Sequence, residues 1–431
     1  MFQPLEETRD REALEALQLE RLRATVTRIA AHNAVYHRHL GQLAPRDLVG
    51  LRDLQALPFL TKDQLRDAYP YGLACFGEEP ILRVHMSSGT TGAPIINPYT
   101  MADVQQWREV MARSLVAATV TPHDVIQITP SFGLFTGGFG FHYGAEALGA
   151  MVIPIGAGRT LLQLQLLRDL GATVLVGIAT YPLRLIEVAR QEGFDFRKTR
   201  LRVAVLGSEM WSDELRARIE DELGARTYDI IGMTETGGPG LGIDCPARDG
   251  IHVWDDHYLP EVVDPQTGTG LPDGQVGELV VTTLTRQGLP LIRYRTHDLT
   301  RVRSRARCVC GRTGVRLDRL QGRTDDMVIY KGVNFYPRQV EQILLRQAGL
   351  GHEYQIVLET DEGRGERMLL GVEAEAGADP GVEERLRREL HDFLGLSPEI
   401  RRFAIGEIPR PQGKALRVVD NRGTRGERTR R

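Results

Sequence analysis

Small and hydroxylated residues follow the first strand-like segment of the chain, ILRVHM. The residues directly after this segment are Ser87, Ser88, Gly89, Thr90, Thr91 and Gly92. Glycines let backbone N–H groups curl around phosphate oxygens, and hydroxyl groups add hydrogen bonds to the same anion. The Walker pattern is excluded, because Ala93 and Pro94 stand where it needs lysine and a hydroxylated residue. The run predicts a phosphate-binding loop, with an ordinary polar loop as the alternative.

Two carboxylates and a lysine further along could complete a nucleotide site. Glu235 lies in the run 232–238, GMTETGG, after a strand-like segment, and could hold Mg²⁺. Asp298 ends the run YRTHD and could accept hydrogen bonds from a ribose diol. Lys414 follows a Pro/Gly stretch near the C-terminus. Taken singly, they could be a surface carboxylate, a turn cap and a solvated lysine. Their order and separation favour one site.

Three cysteines and a histidine form a second candidate site. Cys245 and His252 are separated by six residues, and Cys308-x-Cys310 follows later, with Gly311 behind it. Three sulfurs and one imidazole suit tetrahedral Zn²⁺, and four protein ligands leave no open position, so the metal would be structural. Buried thiols that act as small hydrophobic groups are the alternative. His257 could replace His252, although its spacing fits less well.

Alternating helix-like and strand-like segments must position these residues. Apolar spacing predicts a helix over 12–40, and Thr61 is a candidate N-cap for another helix. Predicted helices and strands then alternate up to residue 231, which favours parallel α/β layers. The helices are 102–117, 144–148, 161–171, 181–192 and 212–223, and the strands are 124–128, 151–155, 174–177, 201–206 and 225–231. Residues 251–305 are β-rich.

A change of composition near Gly322 predicts a second domain. It consists of a short strand, a helix from Pro337, two longer strands, a helix over 383–394 and a tail. We therefore predict an α/β protein with a large domain over 1–321, made of layered α/β subdomains and a β-rich subdomain. A small, mobile α+β domain follows over 322–431.

Length and charge narrow the functional class. The chain has 431 residues, 42% of them hydrophobic, and a formal net charge of −3, which is ordinary for a globular protein and disfavours nucleic-acid binding. Neither an export signal nor a stretch of about 18 apolar residues is evident, so no membrane partner is expected. Four cysteines are too few for a disulfide scaffold, which favours the cytoplasm. Cys75 is expected in the core.

These motifs together resemble the adenylate-forming superfamily of acyl- and aryl-CoA synthetases, luciferases and peptide-synthetase adenylation domains. Within it, the chain is similar to the phenylacetate–CoA ligase family over nearly its whole length. The closer match rests on the stretches 133–138, 141–146, 260–265, 322–337 and 408–420.

The resemblance implies a two-step reaction with ATP, Mg²⁺ and CoA as cofactors. A carboxylate attacks the α-phosphate of ATP, the small domain rotates, and a thiol then displaces AMP. The implied roles are β/γ-phosphate binding by Ser87–Gly92, nucleotide contact by Gly232, α-phosphate contact by Thr234, Mg²⁺ binding by Glu235, ribose binding by Asp298, ribose or phosphate contact by Arg323, hinge motion at Asp325, a catalytic charge on Lys414 and a CoA tunnel beside Gly332.

The acid is expected to be a small aryl carboxylic acid. Pocket candidates, by resemblance and position, are Phe132, Phe135, Gly137, Trp211 and Gly238. Some relatives also hold a structural zinc at a pattern like that of Cys245, His252, Cys308 and Cys310. A homodimer is compatible with the resemblance, since relatives are often dimers.

The chain departs from the usual pattern at three positions. Many relatives have lysine in place of Ala93, tyrosine in place of Ile231 and glycine in place of His297. The acyl acceptor could also be a carrier-protein thiol or an amine. A nucleotide-binding protein without catalysis is the alternative of another class, and Lys414 argues against it, since a pure binder has no need of a swinging lysine.

Overall fold

The computed structural model describes residues 1–87, 93–361, 365–409 and 417–422. The chain divides into two compact units, Met1–Ser208 with Ile219–Leu320 and Glu209–Arg218 with Gln321–Arg431. The second unit thus includes a short segment, 209–218, that precedes most of the β-rich region in sequence.

Helices and strands alternate through most of the described residues, as a mixed α/β fold requires. The α-helices are α1 (Pro4–Glu7), α2 (Arg11–His32), α3 (Ala34–His39), α4 (Lys62–Asp67), α5 (Met101–Ala117), α6 (Gly137–Leu148), α7 (Thr160–Asp169), α8 (Tyr181–Gln191), α9 (Asp213–Leu223), α10 (Pro337–Leu345) and α11 (Val382–Leu394). Short 3₁₀ turns lie at Pro45–Asp47, Leu51–Ala56 and Phe196–Lys198. The first fourteen strands are β1 (Arg83–Met86), β2 (Ile96–Tyr99), β3 (Val125–Ile128), β4 (Met151–Ile153), β5 (Val174–Ile178), β6 (Val203–Gly207), β7 (Arg226–Met233), β8 (Gly238–Ile243), β9 (Ile251–Val253), β10 (Tyr258–Val263), β11 (Gly277–Thr283), β12 (Tyr294–Thr300), β13 (Val302–Ser304) and β14 (Arg316–Leu317). The later strands are β15 (Gly322–Arg323), β16 (Val328–Tyr330), β17 (Val333–Phe335), β18 (Leu350–Asp361), β19 (Gly365–Ala374), β20 (Glu399–Ala404) and β21 (Val418–Asp420).

A nine-stranded sheet forms the centre of the first unit, in the order β13-β14-β9-β8-β7-β6-β5-β3-β4. Strands β4, β3, β5, β6 and β7 are parallel, and β8, β9, β14 and β13 continue the sheet with antiparallel pairing. The alternating pattern of the sequence predicted the parallel half, and the structure confirms it. Trp107 of α5 and Phe141 of α6 belong to the buried cluster that covers this sheet. Burial of that apolar surface supplies the main stabilisation of the layers.

Two helices differ from the predicted bounds for local reasons. The helix predicted over 12–40 is broken at Asn33, whose side-chain oxygen accepts a hydrogen bond from Tyr36 N at 2.8 Å and caps α3. Helix α6 begins at Gly137, seven residues before the predicted start, despite its glycines. A Cβ on Gly144 would lie 2.7 Å from Met111 Cβ, so glycine permits close packing of α6 on α5. Tertiary contact therefore outweighs weak helix propensity here. Thr61 caps α4 as predicted, and its hydroxyl accepts from Gln64 N.

The second unit is a small α+β structure, as its sequence predicted. Its four-stranded sheet has the order β20-β19-β18-β21, and apolar residues of α10 and α11 share one buried cluster with it. Strands β20 and β21 were missed, because the sequence analysis treated this region as a tail. Among the helices of the described ranges, we find none that combines the length and apolar character needed to cross a bilayer.

Candidate active site and metal centre

Glu235 lies in the tight turn that joins β7 to β8. Its side chain is buried, and its Oε1 lies 3.4 Å from the hydroxyl of Tyr294 and 3.7 Å from Nζ of Lys62. The turn is narrow, because a Cβ on Gly232 would lie 2.3 Å from the carbonyl oxygen of Gly238. The structure thus presents one buried carboxylate at the end of a strand. Lys62, the first residue of α4, is a partner that sequence reasoning missed.

The backbone of the same turn is held from β2. Asn97 Nδ2 donates to the carbonyl oxygens of Thr234 at 2.5 Å and Glu235 at 3.1 Å. The side chain of Asn97 in turn accepts from Arg286. Neither Asn97 nor Arg286 was predicted, since no local pattern joins residues so distant in sequence.

Asp298 owes its position to an irregularity between β11 and β12. The register pairs Val280 with Arg295 and Glu278 with Leu299, so three residues of β12 oppose one of β11. His297, at the centre of the three, has a φ of +65°, and its backbone N–H donates to Glu278 Oε1. Such bulges re-aim side chains beside functional sites. Asp298 is 8% exposed and lies at this bulge.

The pocket candidates of the first unit lie around the start of α6. Phe132 packs edge-on against Phe139, with ring centroids 5.3 Å apart, whereas Phe135 is 49% exposed. Gly137 begins the helix, and a Cβ there would touch Pro130 Cβ at 3.0 Å. An aromatic wall therefore adjoins a glycine-rich helix start.

Gly238 lies directly against the buried indole of Trp107. A Cβ at this position would lie 2.6 Å from Trp107 Cζ2 and 2.9 Å from Thr136 Cβ, and the φ of Gly238 is +99°. Both the space and the backbone thus require glycine. The indole is fixed in turn, because its Nε1 donates to the carbonyl oxygen of Pro239 at 2.9 Å.

Four further candidates belong to the second unit. Trp211 is buried, its carbonyl oxygen accepts from Arg338 Nη2 at 3.0 Å, and the Arg216 guanidinium carbon is 5.0 Å from its ring centroid. Arg323 and Asp325 form a two-bond ion pair, at 2.8 and 2.9 Å, so the nucleotide and hinge candidates bind each other. Gly332 has a φ of +81°, and within the described ranges no atom outside its chain neighbours lies within 4 Å of the position of a Cβ.

The structure describes the predicted phosphate-binding loop only at its first residue, Ser87. The hydroxyl of Ser87 accepts from Ile95 N at 3.0 Å, and Ser87 N donates back to Ile95 O at 3.1 Å, which closes the neck of the loop. Ser88, Gly89, Thr90, Thr91 and Gly92 lie outside the described residues, as does Lys414.

The three cysteines and the histidine of the predicted zinc site lie together in the first unit. The ligand atoms of Cys245, His252, Cys308 and Cys310 are all within 4.8 Å of one another. Cys245 follows β8, His252 is in β9, and the other two are in the turn between β13 and β14. Cys245 Sγ is 3.9 Å from Cys308 Sγ, and Cys310 Sγ is 3.5 Å from His252 Nε2. Tetrahedral Zn²⁺ would give about 3.8 Å for the first separation and about 3.6 Å for the second.

Hydrogen bonding shifts the pKa values of two thiols of this cluster in opposite directions. A hydrogen bond from the Cys245 thiol, with a second from His252, lowers the pKa of Cys310, and the same thiol–thiol hydrogen bond raises the pKa of Cys245. Nη1 of Arg312 lies 3.6 Å from Cys310 Sγ. One sulfur is thus prepared to be a thiolate, which is the form that binds metal.

Comparison with known proteins matches both units to enzymes. The family model for the AMP-binding enzyme matches residues 42–285, and that for the AMP-binding enzyme C-terminal domain matches residues 332–422. The phenylacetate-coenzyme A ligase of Thermus thermophilus is 42% identical over 97% of this chain and 99% of its own. The phenylacetate-coenzyme A ligase of Escherichia coli K12 is 40% identical over 97% and 98%.

A solved structure of a CoA ligase is also similar to this chain. The crystal structure of 2-hydroxyisobutyryl-CoA ligase in the postadenylation state, in complex with R3-HIB-AMP, has a TM-score of 0.89 and 29% identity. The match covers 97% of this chain and 92% of that chain. A relative with this fold therefore holds an acyl-adenylate.

Proposed function

The chain belongs to the phenylacetate-coenzyme A ligase family of AMP-binding enzymes, and we propose from this premise that it converts an aryl or arylacetic acid into its CoA thioester. It is an AMP-forming acid–CoA ligase. The observation that carries the proposal is the 42% identity to a phenylacetate-coenzyme A ligase over 97% of the chain. Glu235 and Asp298 are buried carboxylates of the first unit. In the family's reaction, Glu235 would bind Mg²⁺ and Asp298 would bind the ribose of the nucleotide.

The first step joins two anions, so electrostatic stabilisation should dominate it. A carboxylate oxygen of the acid bonds to the α-phosphorus of ATP, and the bond to the β-phosphate bridging oxygen breaks, releasing pyrophosphate. Glu235 would hold Mg²⁺, which supplies positive charge to the phosphates when bound. Thr234 would orient the α-phosphate, Asp298 would accept from the ribose hydroxyls, and Lys414 would carry the mobile positive charge.

The second step transfers the acyl group to sulfur. The thiolate of CoA attacks the acyl carbon, the bond to the AMP oxygen breaks, and AMP leaves. We assign the domains as 1–321 and 322–431, with Asp325 as the hinge of the motion between the steps. Gly332 supports a thiol acceptor, because no described residue other than its chain neighbours has an atom within 4 Å of its Cβ position.

The acid is proposed to bind between aromatic and glycine residues. The edge-on pair of Phe132 and Phe139, with Gly137 and Gly238 nearby in the first unit, offers flat apolar surface suited to a planar ring. Phe135 adds an exposed aromatic surface, and Trp211, a residue of the second unit, stays a pocket candidate by resemblance.

Acid-dependent release of pyrophosphate and AMP tests the function. We would assay a panel of benzoic, arylacetic and aliphatic acids, each with and without CoA. Pyrophosphate release with an aryl acid, and AMP turnover only with CoA, is the expected result. Pyrophosphate release that CoA does not stimulate would favour a carrier-protein thiol or an amine as acceptor. If none of the acids caused pyrophosphate release, the proposal would be refuted. Lys414→Ala should abolish adenylate formation but spare thioester formation from supplied acyl-AMP.

We also propose that Cys245, His252, Cys308 and Cys310 hold a structural zinc ion. The ion would join the strand ends of β8, β9, β13 and β14, which form one side of the nine-stranded sheet. Elemental analysis of the purified chain should find about one zinc per chain, since four ligands fill a tetrahedral site. Cys308→Ser should lose the metal, and Cys75→Ala, a buried cysteine outside the cluster, should keep it. A chain that retains no zinc after metal-replete expression would contradict the assignment.

A further inference from the structure

A fully buried arginine lies behind the turn that carries Glu235. The side chains of Arg286 and Asp103 are both 0% exposed, and Nη1 of Arg286 is 3.6 Å from Asp103 Oδ1. The guanidinium carbon of Arg286 also lies 4.2 Å from the ring centroid of Tyr99. Burial of a charged pair is costly unless it is compensated by further contacts.

Asn97 is the link between this pair and the turn. Arg286 Nη2 donates to Asn97 Oδ1 at 2.8 Å. A guanidinium has donors only, so the oxygen of the amide must face the arginine and the NH₂ group must face away from it. That NH₂ group donates to the carbonyl oxygens of Thr234 and Glu235. The hydrogen-bond donors of the Arg286 guanidinium thus fix which way the amide points.

Asp103, the other member of the ion pair, is also held by hydrogen bonds. Asp103 accepts from Gln287 N at 2.7 Å and from Gly288 N at 2.9 Å, and it caps the start of α5 through Thr100 N. The arginine is therefore held between two rigid parts of the first unit. By contrast, the contacts of the Glu235 carboxylate with described residues are longer, 3.7 Å to Lys62 and 3.4 Å to Tyr294.

We infer that Asp103, Arg286 and Asn97 form a positioning chain that sets the Thr234–Glu235 turn for the Mg²⁺-dependent first step. None of the three is a catalytic residue, because they act through the backbone of the turn. The inference rests on the proposed function, in which Glu235 holds Mg²⁺ and Thr234 contacts the α-phosphate. It extends that function by naming the residues that hold both groups in place.

Asn97→Asp separates positioning from folding. The new carboxylate keeps the shape of the side chain and accepts from Arg286, whose Nε and Nη1 have no hydrogen-bond partner among the described residues. It cannot donate to the two carbonyl oxygens of the turn. We expect pyrophosphate release to fall about tenfold or more and the Mg²⁺ concentration for half-maximal rate to rise about as much. Thioester formation from supplied acyl-AMP, which needs no metal-bound triphosphate, should change much less.

Asn33→Asp is the matched control. Asn33 also uses its amide NH₂ to bridge two carbonyl oxygens, those of Gly72 at 3.0 Å and Ala74 at 2.8 Å, but it lies in the N-terminal helical region. Its substitution reproduces the change from amide to carboxylate without touching the turn. The Mg²⁺ dependence of Asn33→Asp should equal that of the wild type.

A second variant tests the inference in case Asn97→Asp does not fold. Arg286→Lys keeps a buried positive charge but replaces the planar fork by a single ammonium group. It should shift the Mg²⁺ dependence in the same direction as Asn97→Asp. An unchanged Mg²⁺ dependence in folded Asn97→Asp, or an equal loss of both half-reactions, would overturn the inference. Absence of pyrophosphate release by the wild-type chain would instead refute the proposed function itself.

Discussion

Replacing Gly238 by alanine tests whether the neighbouring side chains, as well as the backbone conformation, require glycine at this position. The added Cβ would lie 2.6 Å from Trp107 Cζ2, far inside van der Waals contact. The indole cannot simply withdraw, because its Nε1 is hydrogen-bonded to the adjacent Pro239 O and the ring is fully buried. Either the wall of the proposed acid pocket or the turn from β7 must move.

The magnitude follows from two separable costs. A side chain at φ +99° strains the backbone by about 1–3 kcal/mol. Overpacking against the indole adds about 1–3 kcal/mol. Gly274 supplies the control, since its φ is +90° and, apart from its chain neighbours, none of the residues that the structure describes has an atom within 4 Å of its Cβ position. Gly274→Ala should therefore carry the first cost alone.

Urea unfolding, followed by tryptophan fluorescence, measures both variants against the wild type. Both glycines lie in the same compact unit, so their free energies of unfolding can be compared directly. We expect Gly238→Ala to be less stable than Gly274→Ala by about 1–3 kcal/mol and to have a raised KM for the acid. Equal losses of stability, with unchanged acid KM in both, would refute the reasoning about Trp107.

Two further predictions concern protonation and the acyl acceptor. Burial, reinforced by the charge of Arg83, lowers the pKa of His85 from 6.5 to about 4. The native state then binds fewer protons than the unfolded chain between these values, so stability is lost as pH falls through that window. His85→Phe, which fits the surrounding Tyr99 and Trp107 rings, should lose less stability than the wild type between pH 7 and pH 4.5 in urea titrations; equal losses would contradict the assignment. Gly332→Val should slow thioester formation from supplied acyl-AMP while pyrophosphate release is kept, and an unchanged thioester rate would remove Gly332 from the acceptor path.

The sequence predicted local features well where neighbours along the chain determine them. Thr61 was identified as a helix cap because its partner, Gln64, is three residues away. The Cys/His group was identified from ligand chemistry, although Cys245 and Cys308 are far apart in sequence. The start of α6 was missed, because glycines are poor helix formers and tertiary contacts, such as that of Gly144 with Met111, explain them.

The surroundings of the site could not be predicted in the same way. The runs that contain Glu235 and Asp298 were visible in the sequence, and the roles proposed for these residues came from their chemistry and from the resemblance to the family. Lys62 and Arg286 were invisible, since their relation to Glu235 arises only when distant segments pack. The same holds for the irregular register that carries Asp298, because nothing in the local alternation of β12 signals it.

The irregular register has an evolutionary consequence. Between the pairs Val280–Arg295 and Glu278–Leu299, β12 has two more residues than β11. Side chains of a strand alternate with a period of two, so an even number of extra residues leaves the inner and outer faces of β12 in phase. The sheet therefore bears the bulge without turning any apolar residue outward. Loss of two residues at His297 and Asp298 would restore a regular ladder, so a descendant of this chain could lose the carboxylate proposed to bind ribose in one short deletion and still keep its fold.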